Sequence, residues 1–122
     1  MRASFGSATY SPDNLLASDA PIASRKVTLI TGQNVTRGTV LGKITASGKY
    51  NRSLSAAADG SQTPDAIAAE DVDATAADKE ILVYVRGDFA ESALTLGAAH
   101  TVASIREGLR AMGITLVAIQ GA

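Results

Sequence analysis

Apolar and polar positions divide this chain into two unlike parts. From Met1 to Ser24 no period is sustained. Ser, Ala, Asp and Gly dominate, and Pro12 and Pro21 break any regular run. Such a segment cannot bury enough of its own surface to offset an ordering cost of about 1–2 kcal/mol per residue. Yet Phe5, Tyr10, Leu15, Leu16 and Ile22 are spaced along it, more large apolar side chains than a solvating tail requires. The pattern predicts an extended arm, residues 1–24, that orders by laying a strand on the sheet edge of another protein. Fully extended, such an arm reaches about 80 Å.

Residues 25–122 carry the periodicities of a folded domain. Lys26–Ile30 alternates as a strand with Val27 and Leu29 on one face, and Gly32-Gln33-Asn34 turns it. Arg37-Gly38 turns the chain again into a strand over Thr39–Thr45. Gly42 inside that strand predicts a bulge or a close backbone approach. Asp59-Gly60 marks a turn, and Ala66–Val72 contains a short strand. Ile81–Val85 is an unbroken apolar run, which a strand tolerates only when both of its faces are covered. Val102, Ile105, Leu109 and Met112 then fall on one helical stripe, with Thr101 as the N-cap and Gly113 just past the end. A last strand runs from Ile114 to Ile119. The expected fold is mainly β with one substantial C-terminal helix, α+β by strict count.

Composition narrows the physics. The chain has 122 residues, enough for one domain; 46% are apolar but only 4% aromatic, with no Trp. A core of Val, Ile, Leu and Ala predicts a thin, marginal domain that gains from burying further surface in an oligomer. With no cysteine, disulfides, thiolate metal sites and cysteine nucleophiles are excluded, and synthesis in a cytoplasm is expected. No apolar run is long enough to span a bilayer, and the first twenty residues do not read as a signal peptide, so no membrane association is expected. Net charge is −1, from 11 basic and 12 acidic residues. Arg106 and Arg110 are the nearest approach to a basic patch, so no nucleic-acid partner is expected.

Several short motifs resemble chemistry without completing it. Asp71-Val-Asp-Ala-Thr75 spells the pattern of aspartate-nucleophile phosphotransferases, in which one carboxylate attacks phosphorus and the next manages the proton. That reaction needs a larger α/β scaffold to supply a lysine and further acids, and a solvated acidic turn between strands is the expected reading. Read as a calcium loop, the same stretch has Ala76 and Leu82 where Gly and Glu are required. Asp78-Lys79 before a strong strand resembles the modified lysine of lipoyl domains, but only as a dipeptide. His100 is the single histidine; no histidine pair can hold a metal, and no serine sits in a nucleophile elbow for it to activate. Arg37-Gly-Thr-Val-Leu-Gly42 lacks the glycine spacing of a phosphate loop. The expectation is no catalytic, cofactor or metal site.

The order of several segments resembles the head-decoration proteins of tailed phages, the family typified by the lambda head protein D. The likeness starts at Tyr10-Ser-Pro-Asp-Asn-Leu-Leu16 and continues through Val27-Thr-Leu, Gly32-Gln33 and Arg37-Gly-Thr-Val-Leu-Gly-Lys43. It then takes in Asp59-Gly60, Ala66-Ile67, Glu70-Asp-Val-Asp73, Val83-Tyr-Val-Arg-Gly-Asp-Phe89 and Leu109–Leu116. No single piece is diagnostic; their order and spacing together are fairly specific. The resemblance implies a β-clip or β-tulip fold and a non-enzymatic cement protein. It implies homotrimers at local threefold positions on the outer surface of an expanded virion head, with the major capsid protein as partner. It also implies that the arm adds a strand to that protein, making Phe5, Tyr10, Leu15, Leu16 and Ile22 the capsid-binding residues. The competing reading is a β-clip ligand-binding or carrier domain using the Arg37–Lys43 hairpin.

Overall fold

A computed structural model describes residues 15–18 and 21–118. Within them the chain forms β1 (Ala23–Leu29), β2 (Gln33–Val35), β3 (Val40–Lys43), β4 (Tyr50–Arg52), β5 (Pro64–Ala68), β6 (Val72–Ala74), β7 (Lys79–Ala90), α1 (Val102–Ala111) and β8 (Ile114–Val117). The mainly β fold with one C-terminal helix is the one expected.

Strands β1, β4, β3, β5 and β7 follow one another around a sheet that closes because β1 also pairs with β7. The β1–β7 ladder is antiparallel along the whole of β1. The β1–β4 junction is parallel and minimal, Leu29 opposite Tyr50, with Ile30 N donating to Tyr50 O at 2.9 Å. The result is a small barrel. Strand β8 lies parallel to the C-terminal part of β7, from Gly87 opposite Ile114 to Ala90 opposite Val117. A separate antiparallel pair, β2 with β6, sets Val35 opposite Val72.

Alternation along three strands explains why they carry continuous apolar runs. Leu41 of β3, Ala66 and Ala68 of β5, and Ile81 and Val83 of β7 join Leu29 and Tyr50 in one buried cluster, completed by Val35 and Ala74 from the β2–β6 pair. Their neighbours Val40, Ile67, Ala69 and Tyr84 belong to a second cluster, with Ile105 and Leu109 of α1, Ile114 and Leu116 of β8, and Phe89. Because side chains alternate across a strand, β3, β5 and β7 face the barrel core on one side and the helix layer on the other. This is the cover that the Ile81–Val85 run demands. Each fully buried Leu, Ile or Phe contributes about 1.5–3 kcal/mol through removal from water.

A bulge makes the two layers compatible. Ala23 and Ser24, adjacent in β1, stand opposite Arg86 and Tyr84, so β7 carries one extra residue there. That insertion changes the facing parity and brings both Tyr84 and Phe89, five positions apart, into the helix layer. Their ring centroids are 5.3 Å apart at an interplanar angle of 40°. A second irregularity falls at Leu41/Gly42, where β3 meets β5. A Cβ on Gly42 would come within 2.0 Å of Ser61 O, so this position is both bulge and close approach.

The helix starts as its sequence dictates. Thr101 Oγ1 accepts from Ser104 N at 3.1 Å while Ser104 Oγ accepts from Thr101 N at 2.9 Å, a reciprocal capping box. Gly113 ends it with φ of +98°, a left-handed conformation that glycine adopts without strain. Ile105 and Leu109 are buried as expected. Met112, placed on the apolar stripe by its spacing, is instead the C-cap, past the last helical turn, and is 40% exposed. Two further expectations shift by a few residues. The Ala66–Val72 stretch divides between β5 and β6, and Gln33-Asn34 belongs to β2, the turn before it being Thr31-Gly32. Residue 119, the expected end of the last strand, lies outside the described residues.

Ionisable groups at the turns set the pH range of this fold. Asp59, Asp73 and Asp78 are held below the usual carboxylate value, mainly by side-chain hydrogen bonds from Ser61, Thr75 and Lys49 respectively. Tyr50 is pushed up to about 12 by burial and by its 2.8 Å hydrogen bond to Asp65. Depressed carboxylates stabilise the fold above their unfolded pKa, and that contribution is lost as pH falls through the folded values. A raised tyrosine contributes fully below its unfolded pKa of 10.0 and loses that contribution as pH rises toward 12. Thermal unfolding should therefore show a plateau between roughly pH 5 and 9, falling below about pH 4 and above about pH 10. Tyr50→Phe should flatten the alkaline limb and leave the acid limb in place; an unchanged alkaline limb would contradict the assignment.

Candidate functional site

The described part of the N-terminal segment is attached to its own domain by a strand. Ala90 N donates to Leu15 O at 2.8 Å, and Ala17 N donates to Asp88 O at 2.9 Å, an antiparallel bridge centred on Leu16 and Phe89. Backbone groups of a strand alternate between its two edges. Asp88 and Ala90 therefore face residues 15–17, and Gly87, whose N–H donates to Gly113 O at 3.1 Å, faces β8. The end of β7 is thus paired on both edges. Ser18 Oγ adds a 2.9 Å bond to Asp88 Oδ2.

The five expected contact residues fall into three groups. Leu15 is 1% exposed and packs in the helix-side cluster, with Cδ1 directed toward Gly38. Leu16 and Ile22 are exposed, at 37% and 45%. Ile22 lies so close over Gly87 that a Cβ there would be 2.7 Å from its Cγ2; Gly87, at φ +143°, is the residue that leaves this room. Phe5 and Tyr10 lie outside the described residues. Strand β1 opens at Ala23, inside the stretch expected to be arm. Composition alone did not indicate that Leu15 and Leu16, adjacent and identical, would divide between the core and the surface. The alternation imposed by pairing with β7 divides them.

The motifs with a chemical look serve the backbone. Asp71 Oδ1 accepts from Arg37 N at 2.8 Å, and Asp73 Oδ1 accepts from both Thr75 N at 3.0 Å and Thr75 Oγ1. The two carboxylates tie down separate turns. Asp78 bonds Thr31 N at 2.8 Å and pairs with Lys49 at 2.7 Å, while Lys79 begins β7 opposite Leu29 and is not at a hairpin tip. His100 Nε2 lies 3.1 Å from Ser53 Oγ, but Ser53 is fully buried. Among the described residues no three His, Asp or Glu side chains converge as a metal site requires.

Arg37, Arg106 and Arg110 are similarly committed. Arg37 donates to Ala69 O at 3.0 Å and to Tyr84 Oη at 2.7 Å, with its guanidinium 5.4 Å from the Tyr84 ring centroid. It cross-links the loop before β3 to β5 and β7. Arg106 pairs with Glu91 at 2.5 Å and donates to Leu116 O at 2.6 Å, and Arg110 pairs with Glu107 at 3.2 Å. The far end of the Arg37–Lys43 hairpin borders an open cleft of about 310 Å³, lined by Lys43, Thr45, Gly60, Thr63, Asp65 and Met112.

A closed barrel backed by one helix, its acidic turns engaged in backbone capping, has the build of a small structural module. The chain belongs to the family of the bacteriophage lambda head decoration protein D, whose family model matches residues 6–114. That match extends from within the N-terminal segment to the first residue of β8. No curated protein matches the chain. The family consists of structural proteins of the phage head, so the chain is a phage head-decoration protein, and the family implies a place on the virion capsid.

The two adjacent leucines provide a direct check on the geometry. Leu15→Ala empties a closed site and should cost about 2–5 kcal/mol of folding stability. Leu16→Ala, on the outward side of the same strand, should cost about 0.5 kcal/mol or less. Equal losses in denaturant unfolding would contradict the placement of residues 15–17 on β7.

Proposed function

We propose that the protein is a non-enzymatic cement. It is made in the host cytoplasm, seats as a homotrimer on the outer face of an expanded phage head, and holds the major capsid protein against the pressure of the packaged genome. The observation that carries this reading is the rooting of the N-terminal arm. Leu15 is buried in the domain and residues 15–17 are paired to β7, so the arm is fixed to the domain at its root.

An arm with a fixed root transmits force; one joined by a loose linker does not. Tension on residues 1–14 is carried through two backbone hydrogen bonds into β7, the strand around which both core clusters are built. Within the arm the division of labour follows from burial. Phe5 and Tyr10 are the capsid anchors, Leu16 and Ile22 are exposed contacts beside the root, and Leu15 holds the arm to its own domain. Three arms on one trimer raise the effective concentration of each, so modest affinity per arm gives lasting attachment. Binding selective for the expanded lattice stabilises that lattice by linkage.

The experiment is a truncation placed by the structure. Removing residues 1–14 should leave a protein that folds and trimerises, because Leu15 and everything after it remain. It should no longer add to undecorated expanded heads in a sedimentation assay. Decoration at the full-length level would overturn the reading.

A further inference from the structure

The barrel closes at one point only, and this leaves a strand edge open. Strand β1 pairs with β7 along its full length but meets β4 only where Leu29 faces Tyr50. Ile30 N points toward β4, donating to Tyr50 O. By the alternation of backbone groups along a strand, those of Thr28, Lys26 and Ser24 point to the same side. β4 starts at Tyr50 and runs parallel to β1, so it lies beside the end of β1 and not beside Ser24 or Lys26. Among the described residues no hydrogen bond is made to this edge at Ser24 or Lys26. Ser24, Arg25 and Lys26 are all exposed.

Open edges invite pairing with other chains, and charged side chains along them discourage indiscriminate pairing. Here the charges also select. Arg25 and Lys26, being consecutive, point to opposite faces of β1. Against these two cations the adjoining ladder offers one nearby carboxylate, Glu80, at a loose 3.9 Å from Lys26. In a chain whose net charge is −1, this edge is a basic strip, and a strand laid on it meets a cation on either face.

We propose that the outer edge of β1 is a second docking site, which accepts an extended acidic segment of the shell protein by strand addition. The inference rests on the decoration reading and goes beyond it: the arm gives a strand to the shell, and β1 receives one. The two surfaces are continuous. Residues 15–17 and β1 both pair antiparallel with β7, and exposed Ile22 leads directly into β1. The segment accepted would carry Asp or Glu at neighbouring positions and present free backbone groups every second residue.

The test compares amide hydrogen exchange, read residue by residue, in the full chain free and bound to undecorated expanded heads. In the free protein the amides of Ser24 and Lys26 should exchange quickly, while those of Arg25 and Val27, turned toward β7, are protected. On binding, exchange at Ser24 and Lys26 should slow at least tenfold. Two variants check the chemistry. Lys26→Pro removes an outward donor, and the double charge reversal Arg25→Glu with Lys26→Glu keeps the backbone intact; each should weaken head binding about tenfold or more. Protection confined to residues 1–14, or full binding by the charge-reversed variant, would overturn the β1 site and leave decoration standing. No binding by the unaltered chain would overturn both. Slowed exchange at Ser24 and Lys26 in concentrated protein without heads would identify a second copy as the occupant and overturn the shell assignment.

Discussion

Strand β7 is the constraint on which the rest of this structure depends. It is twelve residues long and hydrogen-bonded along both edges, to β1 and residues 15–17 on one side and to β5 and β8 on the other. Ile81 and Val83 fill the barrel, while Tyr84 and Phe89 fill the helix layer. Most of this strand is covered on both faces, which places it in the part of the domain expected to open last. One bulge near Tyr84 lets a single strand serve both layers. With few aromatics available, the Tyr84–Phe89 pair provides much of the bulk of the helix layer.

This arrangement suits the mechanical task proposed for the protein. A cement protein needs a body that does not yield and an attachment that enters the body at its stiffest point. The N-terminal segment joins β7 directly, next to the residues β8 pairs with on the other edge, so a load on the arm is shared by both ladders. Arg37 and Arg106 reinforce the same region, the first bridging to Ala69 and Tyr84 and the second joining α1 to β8 and to Glu91. The acidic turns at Asp59, Asp71, Asp73 and Asp78 satisfy loop amides that would otherwise need water.

Much of this fold was legible in the sequence because local rules and tertiary demands agree. The helix between Thr101 and Gly113 has its cap and its stop in the expected places and buries Ile105 and Leu109 of the expected stripe, and the Ile81–Val85 run announced a strand covered on both faces. Gly42 marked a close approach that Ser61 supplies. What was not legible depended on pairing partners distant in sequence. Leu15 and Leu16 are the same residue type side by side, and only the fold shows that the first is buried and the second exposed. Barrel closure through Leu29 and Tyr50 leaves no local signature. Phe5 and Tyr10 lie outside the described residues.

The central claim is that residues 15–17 remain strand-paired to β7 while the residues before them leave to engage the shell. A density map of decorated heads at side-chain resolution tests this most directly. The account predicts Leu15 still seated beneath the helix layer, with the chain ahead of it running as a continuous strand against the major capsid protein. Leu15 drawn out of its own domain, or an upstream chain making no ordered contact with the shell, would contradict it.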